Sequence, residues 1–514
     1  MLSTLLESTE ISRVQRTELP HAREISAALA CLRRNIVEID PKNRPGFGYT
    51  APAGDMRHPA TGEPTRLYPY LWFWDTFQTA AQRPDVNQAL IDVYTFMESQ
   101  RPDGFLGHIY YHEAGLRRET YFPGPQIHFE KGELPQAGKI TSKIIQPPNA
   151  AWGIWELAEK LEPRAQKEFI SDMFPALMAY HEYLYSKRSI NGLVVSVQPW
   201  EGGDDNSPKW DSVYANLWNN ENVLKSMGSE MRDGRSREDA MFWLVKNWLK
   251  QEIGIEYKRL DTQLVPPSQR PVQDHYDKYL FLPKLYQEWG WDEEKIMKDS
   301  PFRVADPMMN AMLLRSNREL LKMALLLGKE GEAEKINQWT LSTLRGMESL
   351  WDEENGYYFA RDLATEELIK VPTNSSYMVL FSEAITNERA ARLIVHLEEL
   401  RTKYPPYKMV PSTDPVHPAF DPERYWRGPV WPPMNYYIAR GLDYYKEHGL
   451  ANALRRDSIE LVLGSVDPNG EPTFHEYYTP EGKPLGSPGQ SWTASTFIDD
   501  VVRLHMYESR GLIL

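Results

Sequence analysis

The chain has 514 residues, and its 58 lysines and arginines against 72 aspartates and glutamates give a net charge of −14. This acidic balance argues against nucleic acid or an anionic membrane as the main partner. The single cysteine, Cys31, excludes an intrachain disulfide framework and fits a reducing compartment, so we expect a cytoplasmic protein. The first residues show no secretory signal pattern, and no run of 18 apolar residues predicts a membrane span.

Aromatic residues are abundant, with 16 Trp, 28 Tyr and 17 Phe. Many of these rings stand beside Gly, Pro, Asp and Glu rather than inside apolar runs. Flat rings next to carboxylates suit a sugar, which presents C–H faces between its hydroxyls, although aromatic residues also serve cores and interfaces. Composition therefore favours a carbohydrate site without establishing one.

The first part of the chain is predicted to be mainly helical. Residues 1–20 are expected to form a loosely held arm, followed by a helix from Ala22 to Ile39 and an ordered loop rich in Gly, Pro and Thr. A second helix is predicted to begin near Asp75, a residue of the N-cap type, and to end at Arg83-Pro84. A third helix covers residues 85–100 and closes at the turn RPDG.

The middle of the chain alternates helices with long connections. Residues 105–142 show no period, and an irregular run of this length is usually functional, so we assign 100–145 to an active-site loop or cap insertion. The Gly, Pro, Asn and Asp content of Gln198–Asp211 predicts a loop. Helices are predicted at residues 146–161, 165–187, 212–227, 235–254 and 274–290.

The last part of the chain consists of paired helices. They are predicted at residues 306–327, 329–350, 376–383, 387–399, 429–447, 450–463 and 492–508. Between them, Trp351–Leu363 is a hairpin candidate with Asn355-Gly356 at its tip, and Phe474–Tyr478 is predicted to be extended.

Helix pairs that each bury one stripe can do so by closing into a ring. Irregular loop lengths and the lack of a tight sequence repeat disfavour an open solenoid. The predicted fold is therefore all-α: one (α/α)6 toroid over residues 1–514, with a minor content of short β-hairpins and with long loops gathered on one face.

The loop Gln198–Asp211 carries two adjacent acids, Asp204 and Asp205, between Trp200 and Trp210. Glycoside hydrolysis needs two carboxyl groups across the scissile bond, and the acid must stay protonated near neutral pH. Asp205 beside a like charge suits the acid, and Glu476, in the distant aromatic stretch FHEYY, suits its partner. The plainer interpretations are a solvated acidic turn and an exposed edge-strand acid.

Other chemistries fit the sequence less well. A DDxxD magnesium motif would need an acid where Pro208 stands, and the calcium-loop spacing fails as well. His108, His112 and His128 share a region but lack the spacing of metal ligands, so we expect neither a metal nor a cofactor. G-x-S-x-G, H-E-x-x-H, C-x-x-C and P-loop motifs do not occur in the sequence.

Several segments resemble motifs of glycoside hydrolase family 63, which belongs to a clan with trehalases and glucoamylases. They are PWEGGDDNSPKWD, YWRGPVWPPMNYYIARGL and FHEYYTPEGKPLGSPGQSWTAS. LYPYLWFWD and IIQPPNAAW resemble the mannosylglycerate and glucosylglycerate hydrolase branch in particular. The motifs follow the family's order from Tyr68 to Ala494, so the resemblance covers most of the chain.

This resemblance implies an (α/α)6 barrel and an inverting α-glycosidase with Asp205 as general acid and Glu476 as general base. Asp204 stands where the family often has an apolar residue; either its charge raises the pKa of Asp205, or it is simple variation. Arg270 and Tyr276 have the six-residue spacing of the pair that holds a glycerate carboxylate in that branch, and the alternative for Arg270 is a loop cation without a ligand. With the two indoles of the acid loop included, the predicted substrate-binding residues are Tyr70, Trp74, Asp75, His108, Tyr121, Gln146, Trp200, Trp210, Arg270, Tyr276, Trp426, Gly428, Trp431, Gln490 and Trp492.

The function that follows is hydrolysis of a small α-glycoside, with glucosylglycerate or mannosylglycerate as the expected substrate. The expected partner is this small-molecule sugar rather than nucleic acid or a membrane, and a homo-oligomer is left open. Two alternatives also stay open at this point. One is an α-glucosidase for a neutral disaccharide or oligosaccharide, and the other is a carbohydrate-binding toroid without catalysis.

Overall fold

The helices form a double ring in a computed structural model that describes residues 19–116, 122–129, 139–228, 234–404 and 409–509. Within these ranges, six inner helices surround one axis, and each packs against the next until the circle closes. The inner helices are Phe73–Gln82, Ala150–Ala158, Pro307–Leu326, Asn374–Met378 with the turn Val379–Ser382, Pro432–Tyr444 and Ser491–Ser509. An outer helix packs on each; in the same order these are Val86–Met97, Pro163–Lys187, Glu330–Met347, Asn387–Lys403, His448–Leu463 and Ala22–Arg34. The predicted (α/α)6 toroid is confirmed.

Burial differs between the two rings because the inner helices are covered on nearly all sides. Helix Phe73–Gln82 buries nine of its ten residues. The outer helix Glu330–Met347 buries a stripe that includes Ala333, Ile336 and Thr343, at the spacing of an amphipathic helix with one packed face.

Two glycines allow inner helices to approach closely. A Cβ atom at Gly153 would lie 2.5 Å from the carbonyl oxygen of Phe77, and one at Gly441 would lie 2.5 Å from the carbonyl carbon of Leu380. Both distances are far below van der Waals contact, so larger side chains would force neighbouring inner helices apart.

The strands are short and belong to the connections between helices. Antiparallel pairs join Ile36–Glu38 to Gly48–Thr50, Asp55–Arg57 to Pro64–Arg66, Leu71–Trp72 to Ile109–Tyr110, Trp351–Asp352 to Tyr357–Tyr358, and His475–Tyr478 to Pro484–Pro488. The hairpin predicted around Asn355-Gly356 is confirmed, since Trp351 pairs with Tyr358 and Gly356 takes a φ of 70° in the turn. The predicted extended segment at Phe474–Tyr478 is confirmed by the strand His475–Tyr478.

A five-stranded antiparallel sheet brings distant segments together. Its strand order is Glu367–Ile369, Ala360–Asp362, Val304–Ala305, Leu193–Ser196 and Ser189–Ile190. Val195 pairs with Ala305, and Ser196 pairs with Val304. The strand Leu193–Ser196 leads into the loop Gln198–Asp211, which we call the acidic loop, and Val304–Ala305 leads into Asp306 at the start of an inner helix. The acidic loop and the start of that helix therefore lie side by side.

The segment between the outer helix Pro163–Lys187 and the inner helix Pro307–Leu326 is a helical insert. Its helices are Pro199–Gly202, Asp211–Asn216, Glu221–Met227, Arg237–Asn247 with the π-helical Trp248–Ile253, Asp261–Leu264, Gln273–Glu288 and Glu293–Asp299. They pack around their own hydrophobic cluster, which includes Trp210, Trp248 and Tyr286. A further short helix spans Glu113–Leu116, and 3-10 turns lie at Pro125–His128, Pro208–Trp210, Leu217–Asn219, Pro267–Gln269 and Glu348–Leu350.

The ring closes where the outer helix Ala22–Arg34 packs on the inner helix Ser491–Ser509, a junction that we call the closing seam. The Asn35 side-chain amide donates to the Gly489 carbonyl and to Ser491 Oγ, both at 2.7 Å. The Ser491 backbone N–H donates to the Pro52 carbonyl at 2.7 Å. Hydrogen bonds between segments far apart in sequence therefore hold this junction.

Several boundaries differ from the sequence prediction. The helix expected at 212–227 is divided into Asp211–Asn216, the 3-10 turn Leu217–Asn219 and Glu221–Met227, and the predicted loop Gln198–Asp211 contains the helical turns Pro199–Gly202 and Pro208–Trp210. The first helix ends at Arg34 rather than Ile39, because Asn35 turns to the closing seam and Ile36–Glu38 pairs as a strand. The helix expected near Asp75 begins at Phe73, which places Asp75 in its first turn. The helix expected from Gln146 begins at Ala150, since two prolines keep the preceding residues extended.

Part of the sequence prediction falls outside the described ranges. The arm predicted at 1–20 is described only at its last two residues, and the loop or cap predicted at 100–145 is described in three pieces. Of the helices that are described, none combines the length and the apolar character needed to cross a bilayer.

Candidate active site

A cavity of about 110 Å³ opens at the N-terminal ends of the inner helices. Trp74 lies in the first turn of its helix, Trp431 directly precedes one, and Trp492 is the second residue of another. The cavity is lined by Pro52, Leu67, Tyr68, Trp72, Trp74, Asp75, His108, Phe122, Gln146, Trp200, Gly203, Asp205, Asp261, Arg270, Tyr276, Tyr425, Trp426, Trp431, Glu476, Gln490 and Trp492. The ring thus gathers aromatic and acidic residues from most of the chain at one face.

The two adjacent acids of the loop face different surroundings. Asp205 lines the cavity, whereas Asp204 is 1% exposed and lies 2.6 Å from the Nζ atom of Lys209. Asp205 is therefore the acid that can reach a ligand.

The backbone of this loop is fixed at successive residues. Tyr279 Oη donates to the Asp205 carbonyl at 2.8 Å, and the indole N–H of Trp210 donates to the Asp204 carbonyl at 2.9 Å. Gly203, with a φ of 78°, lies against the Trp74 ring, where a Cβ atom would come within 2.6 Å of ring carbons. A left-handed glycine and side-chain clamps therefore set the direction of Asp205.

Burial raises the pKa of Asp205 to about 8, and the nearby charges of Asp204 and Glu476 act in the same direction. The Arg270 guanidinium opposes this rise. Asp205 is consequently protonated at neutral pH, which is the form that a general acid needs.

Glu476 lies at an irregularity of its strand, because the register shifts between His475 and Tyr477. Such bulges commonly re-aim a side chain beside an active site. The Glu476 carboxylate accepts hydrogen bonds from Tyr68 Oη at 2.8 Å and from the Ser487 backbone N–H at 3.1 Å. These bonds fix its orientation toward the cavity that it shares with Asp205.

Arg270 lies in the cavity wall against the predicted base. Its Nη1 atom is 3.3 Å from both carboxylate oxygens of Glu476, and its Nε atom is 3.4 Å from Asp261. Its guanidinium also lies 4.2 Å from the ring centre of Tyr425. Its Nη2 atom donates to Tyr68 Oη at 3.1 Å, so Arg270 contacts two carboxylates, a phenol and a ring of the site.

Stacked indoles form one wall of the cavity. The rings of Trp426 and Trp431 are parallel within 4° at 3.8 Å, and Trp74 and Trp492 meet edge to face at 5.6 Å. Among the described residues, the indole N–H groups of Trp426 and Trp492 find no hydrogen-bond acceptor. Flat apolar faces suit the C–H face of a pyranose ring.

Two further polar residues of the cavity are neutral at pH 7. Burial, and then the charge of Glu476, raises the pKa of Asp75 to about 8. Burial holds the pKa of His108 well below its ordinary value, and its Nδ1 atom lies 2.7 Å from Ser142 Oγ. Both side chains can therefore exchange hydrogen bonds with sugar hydroxyls without adding charge to the cavity.

Three of the predicted substrate-binding residues lie outside the cavity. Tyr70 packs edge to face on Tyr111 at 5.0 Å behind the wall. Trp210 is fully buried and supports the acid loop through the Asp204 carbonyl. Gly428 serves close packing, since a Cβ atom there would meet the Asp421 carbonyl oxygen at 2.5 Å. The fourth, Tyr121, falls outside the described residues.

Sequence reasoning missed Tyr68, Asp261 and Tyr425 among the cavity residues that make polar or charged contacts. Tyr68 begins the motif LYPYLWFWD and Tyr425 begins YWRGPVW, so their place in those aromatic motifs was an available signal. Asp261 lies in a segment without a motif, and it enters the site only through its ion pairs with Arg259 and Arg270. The other cavity residues not predicted are Pro52, Leu67, Trp72, Phe122 and Gly203.

Comparison with known proteins places the chain among glycoside hydrolases. The sequence model of the mannosylglycerate hydrolase MGH1-like glycoside hydrolase domain matches residues 68–493. A mannosylglycerate hydrolase of Thermus thermophilus is 35% identical over 440 residues, which are 84% of this chain and 93% of that protein. A glucosylglycerate hydrolase of Mycolicibacterium hassiacum is 27% identical over 469 residues, covering 88% of this chain and 96% of that protein.

A solved structure agrees with this assignment. The family 63 mannosylglycerate hydrolase of Thermus thermophilus, in complex with Tris and D-glycerate, superposes with a TM-score of 0.74 at 33% identity and covers 93% of this chain and 99% of its own. The chain is thus a glycoside hydrolase, and it belongs to the mannosylglycerate hydrolase MGH1-like family within glycoside hydrolase family 63.

Proposed function

We propose that this chain is an inverting α-glycosidase that hydrolyses a small α-glycoside of glycerate, either glucosylglycerate or mannosylglycerate. The observation that carries the proposal is the pairing of Asp205 with Glu476 in one aromatic cavity. One carboxyl group has a pKa raised to about 8, and the other is held as a hydrogen-bond acceptor by Tyr68 and Ser487. Glycoside hydrolysis requires this division into an acid and an acceptor.

The mechanism assigns one proton transfer to each carboxyl group. The sugar ring lies on the indole wall, with its hydroxyls on Asp75. Asp205 donates its proton to the glycosidic oxygen as the bond to the anomeric carbon breaks. Glu476 accepts a proton from a water that attacks this carbon from the opposite face, so the product sugar has inverted configuration.

Two observations support a glycerate as the leaving group. The relatives in Thermus thermophilus and Mycolicibacterium hassiacum are hydrolases of mannosylglycerate and glucosylglycerate. Arg270, in the wall of the cavity, supplies a guanidinium fork that suits a carboxylate. In this mechanism, the glycerate carboxylate adds to the contacts that Arg270 already makes with Glu476 and Asp261.

A hydrolysis screen followed by proton NMR tests this proposal. Glucosylglycerate and mannosylglycerate are compared with neutral α-linked disaccharides, and the anomeric signal of the first product is recorded. We expect release of the β-anomer from a glycerate glycoside at a kcat/KM at least tenfold above any neutral substrate. Release of the α-anomer would contradict inversion, and absence of hydrolysis across the panel would contradict the proposal.

The contacts of Arg270 favour a second candidate, an α-glucosidase for a neutral disaccharide or oligosaccharide. Glu476 and Asp261 already accept from this guanidinium, so a ligand carboxylate is not needed to balance its charge. The same screen separates the two candidates, because a neutral α-glucosidase would turn over disaccharides at least as fast as the glycerate glycosides.

A further inference from the structure

The acidic loop contains a second carboxylate and a lysine that the mechanism above does not use. We propose that Asp204, held by Lys209, carries a negative charge that controls the proton on Asp205, so that both are positioning residues for the general acid. The proposal rests on the role of Asp205 in the proposed function.

Lys209 is the centre of a buried cluster. The lysine side chain is 2% exposed, and its Nζ atom contacts Asp204, Asp306 and Ser375. Nζ lies 2.6 Å from Asp204 Oδ2 and 2.8 Å from Ser375 Oγ. The ammonium donates hydrogen bonds to Asp306 and Ser375, and its contact with Asp204 is an ion pair.

The two carboxylates of this cluster have different tasks. Asp306 Oδ1 accepts the backbone N–H groups of Met308 at 2.9 Å and Met309 at 3.2 Å, which caps the inner helix Pro307–Leu326. The charge of Asp306 is therefore already stabilised by a helix N-terminus. Asp204 has no such cap. Burial, and then the charge of Asp306, raises the pKa of Asp204 to about 7, and Lys209, the cation that faces it, opposes this rise. Asp204 is therefore mainly ionised near pH 8, where Asp205 titrates.

The fold forces this cluster to form next to the acid. The strand Leu193–Ser196 pairs with Val304–Ala305, so the loop that follows the first strand lies beside Asp306. Lys209 links the loop to Asp306, and its ammonium lies 4.4 Å from the ring centre of Trp210. The acid loop is thereby tied to two inner helices, through Asp306 and Ser375.

The charge on Asp204 acts directly on its neighbour. The charged groups that face Asp205 are Asp204 on its own loop, Arg270 and Glu476. Tyr214 and Tyr279 from the insert and Tyr425 also interact with its charge. The other titratable residues of the cavity that it lines are Tyr68, Asp75, His108, Asp261 and Tyr276. Arg270 favours the ionised form of Asp205, and Asp204 offsets part of this effect as a like charge close by.

The sign of the effect is defined. A negative charge at position 204 favours the protonated form of Asp205, so its removal lowers the pKa of Asp205. We expect Asp204→Asn to lower this pKa by about 1 unit. Lys209→Met leaves Asp204 buried without its cation, so Asp204 takes up a proton and the pKa of Asp205 falls in the same direction.

The experiment is a ¹³C NMR titration of aspartate carboxyl groups in the full chain. The resonance that disappears in Asp205→Asn assigns Asp205. We expect the titration of Asp205 to move to lower pH in Asp204→Asn, in Lys209→Met and in the double variant. The double variant should show the same shift as Asp204→Asn, because Lys209 acts through Asp204. Asp92→Asn, which removes a carboxylate of equal burial paired with Arg83 away from the cavity, is the matched control and leaves the titration unchanged.

An unmoved titration of Asp205 in Asp204→Asn would overturn the inference, as would a double variant with twice the shift. In an active enzyme, the alkaline limb of kcat/KM moves with the NMR titration, whereas a purely structural role would lower kcat at every pH and leave the limb in place. The NMR result does not depend on turnover. A shift of the expected size in a protein that hydrolyses no glycoside would uphold the charge pair and overturn the proposed function alone.

Discussion

At the residue scale, the site depends on where three acidic side chains end up. Asp204 and Asp205 are neighbours in sequence, yet one is enclosed with Lys209 and the other faces the cavity. Glu476 arrives from a strand irregularity and is held by Tyr68 and Ser487. Three carboxyl groups therefore differ in their proposed roles, because burial and neighbouring groups differ at each position.

Removal of either proposed catalytic carboxyl group should abolish most turnover. Asp205→Asn and Glu476→Gln are each expected to lower kcat on a glycoside with a poor leaving group by a factor of about 10² to 10⁴, because each loses one proton transfer. Circular dichroism should show native helix content in both variants. Turnover within tenfold of the wild type in either variant would contradict the assignment.

The pH profile follows from the acid. The pKa of Asp205 is raised to about 8, so the protonated form is lost as pH rises through that value. We expect kcat/KM of the wild type to fall above about pH 8. Asp75 also has a pKa raised to about 8, so the comparison is made in Asp75→Asn, where adding Asp205→Asn should remove the remaining alkaline limb. The measurement is initial rate from pH 5 to 10, and a limb that persists in the double variant would assign it to another group.

Arg270→Met should affect two steps, since Arg270 contacts the proposed base, Glu476, and lines the cavity. We expect kcat to fall on every substrate, because Glu476 loses the guanidinium that lies 3.3 Å from both of its oxygens. KM should rise further for glycerate glycosides than for neutral ones, by about tenfold. Equal changes in KM for both substrate classes would refute a glycerate contact.

The sequence indicated most of the residues that now line the cavity, because aromatic motifs and lone acids stand out in irregular segments. It could not distinguish a ring that faces the cavity from one just behind it, as Tyr70 and Trp210 show. Nor could it pair Arg270 with Glu476, since contacts between residues so distant in sequence depend on how the ring closes.

At the element scale, short strands rather than helices orient the proposed acid, Asp205, toward the cavity. The sheet that contains Leu193–Ser196 places the acid loop beside the start of an inner helix, and Gly203 turns the chain toward the cavity. Long helices with clear stripes were predictable from their period. Two- and three-residue strands such as Ile36–Glu38 were not, because pairing with a distant segment outweighs local preference.

Gly203→Ala should show whether Gly203 orients Asp205 for activity in addition to stabilising the fold. The new Cβ atom would lie 2.6 Å from the Trp74 ring in a backbone with a φ of 78°, so the loop must shift. We expect a loss of about 1–2 kcal/mol in unfolding free energy and a fall of at least tenfold in kcat. Gly328→Ala is the control, with a φ of 68° and open space around it; it should lose only the stability that the positive φ costs and keep wild-type kcat. Full activity in Gly203→Ala would contradict this role of the glycine.

At the scale of the whole molecule, the two ends of the ring carry different chemistry. The cavity lies at the N-terminal ends of the inner helices, and an ionic network lies toward their C-terminal ends. Its centre is Glu156, 2.7 Å from Arg440, 3.6 Å from Arg503 and 3.9 Å from Arg315, residues of three other inner helices. One carboxylate thus connects four of the six inner helices.

Glu156→Gln should destabilise the ring in a pH-dependent manner. Burial raises the pKa of Glu156, but Arg440, Arg503 and Arg315 outweigh it and hold the pKa below its ordinary value. The folded state therefore gains stability above the unfolded pKa of about 4.3 and loses it as pH falls below that value. We expect a loss of about 3 kcal/mol at pH 7 in urea unfolding, and a smaller difference from the wild type at pH 3.5.

Glu168→Gln is the matched control, because its partner Arg164 is 92% exposed and such pairs contribute little. It should change unfolding free energy by less than about 0.5 kcal/mol at either pH. A difference between Glu156→Gln and the wild type that is constant with pH would contradict the linkage.

The closing seam has a consequence for when the molecule can act. Pro52, Gln490 and Trp492 line the cavity and belong to the segments that the seam joins. A chain that has formed its other five inner helices, but has not yet docked Ser491–Ser509 against Ala22–Arg34, still lacks one wall of the cavity. We therefore expect no catalysis from a ring in which these two segments have not yet met.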